Sequence, residues 1–412
     1  MKAGWKTAKL GDLLTKTATI DPSKRPNDPF EYIDVSSVSN VTFAVSEAST
    51  LLGKDAPSRA RRHVKKGDVI FATVRPTLQR IAVIPDEYDD AICSTGYFVM
   101  RVGPNLDHRF LFYWLLSDDF SQEMEARQKG ASYPAVNDSD IRDQIIPLPP
   151  LAEQRRIVAV LDEAFAAIAT ATANAEKNLA NARGLFEATF AQTLVKPGPG
   201  WSVVAIQDIA ELVSGQHIDA SDYNNEQRGI GYLTGPSDFG AHTPTVTKWT
   251  EHPKRTAILG DILITVKGSG VGRVNVMTEG ELAISRQLMA VRVKATDPEL
   301  VYFALETKFD HFQSLANGAA IPGISRSDVL CFKVAIPPKS ELTSFMGRLH
   351  SLQKNFSNLS DTYIQQIANL NQLKQSLLHC AFNGELTAVA PETIAATPPA
   401  ISRSRHRASG LI

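Results

Sequence analysis

The chain has 412 residues, 43 Lys plus Arg against 44 Asp plus Glu, a formal net charge of -1 and a hydrophobic fraction of 43%. At about 100–200 residues per domain, this predicts two to four domains with ordinary buried cores. The charge balance excludes binding nucleic acid by bulk positive charge, and the three distant cysteines, Cys93, Cys331 and Cys380, argue against a zinc site or a disulfide framework.

The opening MKAGWKTAKLGD lacks a continuous apolar core, so no signal peptide is expected. No run of about 18 apolar residues follows, so no membrane span is expected and a soluble, cytoplasmic setting is the default. From Gly4-Trp5 the chain runs through β-branched and aromatic segments, 69–74, 81–84 and 97–102, bounded by Gly, Pro and Asp. These predict strands, and the stretch 110–127 predicts helix, so residues 1–148 read as a mixed α/β domain. After Pro149-Pro150 there is no proline up to Leu194. Proline ahead of the first turn with Glu153 inside it suits a helix start. Ile157, Leu161, Phe165 and Ile168 form its stripe, and the Ala-rich stretch 164–182 favours helix and close approach by another.

At Gly200-Trp201 the pattern begins again. Lys66-Gly67-Asp68-Val69-Ile70 recurs as Leu259-Gly260-Asp261-Ile262-Leu263, and Ile92-Cys93-Ser94 as Ala283-Ile284-Ser285. Gly130-Ala131-Ser132-Tyr133-Pro134 recurs as Gly318-Ala319-Ala320-Ile321-Pro322. Ser139-Asp140-Ile141 returns as Ser327-Asp328-Val329, and Pro149-Pro150 as Pro337-Pro338. The offset drifts from 196 at Trp5 to 188 at Pro150, as small loop insertions would produce. Six landmarks in one order are a tandem duplication. Segments 262–266, 274–277 and 288–293 are the second set of strands, 300–315 is helical, and 196–336 forms the second domain. The helix over 337–386 carries a heptad stripe, Leu349, Leu352, Phe356, Leu359 and Tyr363, continued by Ile367 and Leu370, and Phe382-Asn383-Gly384 supplies its C-cap. Two helices of about 42 residues would each span about 60 Å. The expected architecture is thus two similar domains separated by two long antiparallel coiled-coil helices with a pseudo-two-fold, followed by a disordered tail over 387–412.

The chemistry is that of binding. GxxxxGK[ST], HExxH and GxSxG are missing, no acidic pair sits beside a histidine partner in both halves, and no histidine occupies equivalent places in the two. The nearest nucleotide-type loop, Gly268-Ser269-Gly270-Val271-Gly272 between Lys267 and Arg273, reads first as a tight turn between strands and second as a phosphate contact. At the same place in the first half stand Arg75 and Arg80, and arginine grips guanine bidentately. The basic run Arg59, Arg61, Arg62, His63, Lys65 and Lys66 is either a phosphate grip or a solvated loop, and Lys248 and Arg255 belong to its thinner counterpart. The polar loops 130–137 and 318–325 carry Tyr133 and Ile321 at their tips. A nucleotide-using enzyme and a pure coiled-coil scaffold are the competing classes.

These residues resemble the specificity subunit of type I restriction-modification systems. The match rests on IIPLPPLAEQRRIV (145–158), on LKQSLLHCAFNGEL (373–386), on Gly-Asp-aliphatic at Gly67 and Gly260, and on Ser94-Thr95-Gly96-Tyr97. It covers residues 1 to about 387, and the second helix start, Ile336-Pro337-Pro338-Lys339-Ser340-Glu341, departs from the usual Glu-Gln pair represented by Glu153 and Gln154. The resemblance implies a non-catalytic chain in which each domain reads one half of a bipartite double-stranded DNA target. It implies helices that set the gap and dock two methyltransferase subunits, joined by restriction-translocase subunits. S-adenosylmethionine, ATP and magnesium would belong to those partners, with no cofactor on this chain.

Overall fold

A computed structural model of the chain describes residues 4–130, 132–195, 198–240, 243–278, 280–318 and 321–387. Of the expected tail, only Thr387 is described, and it is buried; 388–412 lie outside the described residues. Two compact units are present, Met1–Ala175 with Gln365–Ile412, and Glu176–Ile364.

In the first unit Lys6–Lys9 pairs antiparallel with Ile145–Leu148, tying the two ends of the globular part together ahead of the long helix. An antiparallel sheet has the order Leu14–Thr15, Tyr97–Val102, Val69–Ala72, Ile81–Val83. A second sheet has the order Ser49–Leu52, Pro29–Ile33, Ile92–Ser94, Ala60–His63, with Tyr32 and Ile92 on a parallel pair. Alternation along the first sheet sorts its side chains. Val69, Phe71, Phe98 and Met100 join the core of the helices His108–Leu115 and Asp118–Arg127, while Ile70, Ala72, Tyr97 and Val99 join Ile33, Val38 and Cys93. Both faces are covered, so these strands are apolar throughout rather than alternating.

The second unit repeats every sheet. Ser202–Ala205 pairs with Lys333–Ile336; Ala210–Ser214, Leu288–Val293, Ile262–Thr265, Val274–Val276 form one sheet; Trp249–Thr250, Ile230–Leu233, Glu281–Ile284, Thr256–Ile258 form the other. Even the single parallel pair returns, Tyr232 with Ala283. Each expected helical stretch is broken in two. Asp107 and Ser117 cap separate helices in the first unit, and Pro298–Glu306 gives way to Phe309–Leu315 in the second.

The recurrent Gly-Asp step is a structural joint. Gly67 and Gly260 hold φ of +79° and +85°, which favours glycine. Asp68 and Asp261, only 2% and 1% exposed, each take a two-pronged arginine. Arg101 donates to Asp68 at 2.9 and 2.7 Å, and Arg292 to Asp261 at 3.0 and 2.8 Å.

The long helices are Leu151–Val195 and Lys339–Asn383, 45 residues each, or about 67 Å at 1.5 Å per residue. In the first unit Ile157, Leu161 and Phe165 share a core with Leu377, Leu378, Ala381 and Phe382, and the Lys374 ammonium lies over Phe165 (5.1 Å) and Phe43 (4.6 Å). Burial pushes the Lys374 pKa down. In the second unit Phe186 stacks on Phe356 at 4.6 Å, and Phe190 and Leu194 share a core with Phe345, Met346 and Leu349. Contacts that descend one helix ascend the other, so the pair is antiparallel within each unit. The heptad is uneven: Leu349 is fully buried, Leu352, Phe356 and Tyr363 are half-buried, and Leu359 is 42% exposed. A lone helix partner covers only a narrow stripe, whereas Leu349 also lies against the globular domain. Gly384, at φ +80°, ends the second helix.

Among the described residues one helix, Leu151–Leu194, is long and apolar enough by length and composition to cross a membrane, which the expectation from continuous apolar runs did not anticipate. Its many alanines make it apolar. Here Ile157, Val158 and Leu161 are buried against protein.

Candidate nucleic-acid interface

The strands 69–72 and 81–83 are joined by a tip in which Arg75 and Gln79 both hold positive φ, +50° and +49°. Pro76, buried, opens the short turn between them. The fold brings the loop 129–135 onto this tip: Val74 and Lys129 both bridge Ala135, and the Arg75 N–H donates to the Pro134 carbonyl at 2.7 Å. Arg75 and Tyr133 are both exposed, with the guanidinium 5.2 Å from the ring centre.

The second unit builds the same place from other residues. Lys267 and Asn317 bridge Gly323, and the Gly268 N–H donates to the Pro322 carbonyl at 2.8 Å. Lys267, Ser269, Arg273 and Ile321 are exposed around it. The glycine-rich loop is a turn. The N–H groups of Gly268, Val271, Gly272 and Arg273 donate to carbonyls within the unit, and Gln313 donates to the carbonyls of Ser269 and Val271. A Cβ on Gly270 would stand 2.7 Å from Pro236, and one on Gly272 2.7 Å from Phe312, so packing explains these glycines. A phosphate cradle would need those N–H groups free.

Other expected contacts are redistributed. Arg80 donates through Nη1 to the carbonyls of Val35 (3.3 Å), Ser36 (3.4 Å) and Val38 (2.5 Å), so it braces the 35–38 turn instead of standing free beside Arg75. The densest basic run is largely paired: Arg61 with Asp21, Arg62 with Asp138, His63 and Lys65 with Asp90, and Lys66 with Asp86. Arg59 is exposed and has no ion pair among the described residues. Lys248 lies over the Tyr223 ring at 5.0 Å, and Arg255 is exposed.

At the helix start, Gln154 is fully buried. Its Oε1 accepts from the Asp107 N–H (2.8 Å), and its Nε2 donates to the carbonyls of Asn105 (3.0 Å) and Pro149 (2.8 Å). A partner-contact role for Gln154 is therefore replaced by an internal one. Glu153 accepts from the Thr387 hydroxyl, which ties the end of the described chain to the first turn.

No group of three or more His, Cys, Asp or Glu is placed to hold a metal among the described residues. Residues 2–179 and 199–379 each match the family described as the type I restriction modification DNA specificity domain. The chain belongs to that family. It is 22% identical over 404 residues, 93% of each chain, to the putative type I restriction enzyme MjaX specificity subunit of Methanocaldococcus jannaschii. It is 26% identical over 161 residues, 38% of this chain and 34% of that one, to the HindI specificity subunit of Haemophilus influenzae. A chain solved in work on complex assembly and conformational transition of the type I R-M system aligns with a TM-score of 0.85 at 32% identity, over 94% of this chain and 99% of that one. The HsdS subunit from Thermoanaerobacter tengcongensis aligns with a TM-score of 0.63 at 32% identity, over 94% and 98%. The two matched segments fall on the two sets of sheets, and the first takes in most of the helix Leu151–Val195.

Sequence reasoning singled out the hairpin tips and the 130–137 and 318–325 loops separately and left Ile321 out of the candidate contacts. The signal was present in their recurrence as a pair in both halves. That the loops meet the tips depends on long-range bridges such as Val74 to Ala135, which local patterning does not encode.

Proposed function

We propose that this chain is the DNA-reading specificity subunit of a type I restriction-modification assembly, working in the cytoplasm. Domain 1–148 reads one half of a split duplex target and domain 196–336 the other. The helical segments 149–195 and 337–386 set the unspecified gap and dock two methyltransferase subunits, with restriction-translocase subunits joining for cleavage. The chain itself performs no catalysis, and S-adenosylmethionine, ATP and magnesium are bound by its partners. The observation that carries this reading is one fold built twice with different tips, Arg75 and Tyr133 against Lys267 and Ile321, on a shared pair of long helices. Equal scaffolds with unequal exposed tips suit two different half-sequences.

Methylation sequencing of DNA from cells expressing the chain with its methyltransferase subunit tests it. A new split motif, modified in each half and dependent on this chain, is the expected result. With the partner bound and active, the lack of any such motif would leave a coiled-coil scaffold as the better account. Inserting four residues into each long helix, near 171–175 and near 365–368, adds about 6 Å, or close to two base pairs. The gap should widen with both half-sequences unchanged, and altered half-sequences would sink the spacer role.

A further inference from the structure

Single exposed apolar side chains are ordinary on protein surfaces and call for no explanation. Tyr133, 72% exposed, and Ile321, 64% exposed, differ because the same place in two diverged domains carries each of them. Both precede a proline and follow a glycine by three positions. The backbone on either side is closed. Lys129 and Ala135 exchange two hydrogen bonds of 2.9 Å, and Asn317 and Gly323 exchange two of 3.0 Å. Gly130 and Gly318 hold φ of +100° and +126°, where a Cβ would stand 2.9 Å from the Tyr133 carbonyl oxygen and 2.7 Å from that of Ile321. Each loop is thus pinned to its hairpin tip and demands glycine at the same point, and it presents a large apolar side chain outward. A cation accompanies each one: Arg75 covers one face of the Tyr133 ring, and exposed Lys267 bridges Gly323, two residues from Ile321.

We infer that Tyr133 and Ile321 are wedges that enter the base stack at one step in each half-target, with Arg75 and Lys267 gripping the phosphates beside them. The inference rests on the DNA-reading role proposed above. Apolar side chains inserted between base pairs unstack them and kink the duplex by about 20–90°. Unstacking is easiest at pyrimidine–purine steps, so a wedge selects a step without hydrogen-bonding either base. Tyr133 keeps one ring face open for a base, and Ile321 offers bulk alone. The two halves therefore distort their steps differently. The paired hydrogen bonds that close each loop at Lys129–Ala135 and Asn317–Gly323 supply the preorganisation, since a fixed loop base loses little freedom on insertion.

The test uses the chain assembled with its methyltransferase subunits, after the methylated motif has been determined. Duplexes carry 2-aminopurine at successive positions of each half-site, and fluorescence reports unstacking. Wild type should brighten at one internal step per half-site, separately from the target base that a methyltransferase flips. Tyr133→Ala should abolish the signal in the first half-site only, keep the flipped-base signal, and weaken binding by about tenfold. Tyr133→Phe should retain the signal, and Ile321→Ala should act only on the other half-site. A signal that survives Tyr133→Ala and Ile321→Ala, or a wild-type complex that methylates its motif without any second unstacked step, overturns the wedges and leaves the DNA-reading role intact. A complex that binds and methylates no motif removes both.

Discussion

The two places where a globular domain meets a long helix are built on one plan with opposite chemistry. In the first unit Gln154 is buried with three hydrogen bonds into the 105–107 turn and Pro149, and Arg109 meets Asp162 at 2.6 Å. In the second, Leu342 stands where Gln154 does and packs beside Phe345, Met346 and Trp201, and Glu299 meets His350 at 2.8 Å. The polar bolt has become apolar packing, and the acidic partner has moved from the long helix, at Asp162, to the globular domain, at Glu299, where a histidine faces it. Within each domain, by contrast, the Asp–Arg joint is kept atom for atom. Buried charge that is satisfied inside one domain resists replacement, because losing one partner strands the other. A joint between two elements needs only mutual fit, so any complementary pair serves.

The largest effect should therefore come from the conserved joint. Asp68→Asn and Asp261→Asn each replace a buried carboxylate that accepts two charged hydrogen bonds from a half-buried arginine, at a cost of about 1.5–3 kcal/mol per bond. Hydrogen exchange should show each loss confined to its own unit, and equal destabilisation of both units by either substitution would break the comparison. Next is the bolt. Gln154→Leu copies the residue of the second joint but strands the Asp107 N–H and two carbonyls, each worth about 1–3 kcal/mol when buried unpaired. Lower protection of the amides at 105–111 is expected. A Gln154→Leu chain as stable as the native one would mean that the two joints are interchangeable residue by residue.

Much of this was legible in the sequence, for reasons that differ by element. The strands 69–72 and 262–265 are short apolar runs behind Gly-Asp turns, and the helices announce themselves by Pro-Pro and a three-four stripe, so local patterning sufficed. The duplication gave the architecture. What patterning missed was long-range. The basic run 59–66 reads locally as either a phosphate grip or a solvated loop, because Asp21, Asp86, Asp90 and Asp138, which pair with most of it, come from three other segments of the chain. Arg80 read as a base contact because the carbonyls it braces lie more than 40 residues earlier. Leu359 read as a seam residue because a heptad records spacing and not how much covers each position.

The exchanged side of the acidic partner is open to a sharper test of smaller size. The Arg109–Asp162 pair is partly exposed, so it contributes about 0–1 kcal/mol. Arg109→Glu places two carboxylates together and should lower the stability of the first unit by about that amount. Adding Asp162→Arg restores opposite charges, with the acid on the side it takes in the second unit, and should recover most of the loss. Failure to recover, measured as the interaction term of a double-mutant cycle, would show that Arg109 and Asp162 act through their bonds to Tyr113 and not through charge.

Tyr113 itself separates the two joints by pH, since the second unit has Phe303 in its place. Burial, and then the hydrogen bond to the Asp162 carboxylate, push its hydroxyl pKa up to about 12 from an ordinary 10.0. The folded chain thus keeps a proton that the unfolded chain releases at lower pH. That contribution to stability is complete below pH 10 and is lost as pH rises from about 10 to about 12. Other buried tyrosines titrate in the alkaline range as well, so the decisive quantity is a difference. Tyr113→Phe should flatten the alkaline loss of protection in the first long helix near Asp162 and Phe165, and leave the helix 298–306 of the second unit unchanged. If the substitution leaves the alkaline slope of the first unit as steep as before, the Tyr113 proton is not what holds that joint, and the Phe110–Phe382 and Tyr113–Phe165 ring contacts, which do not titrate in the variant, carry it alone.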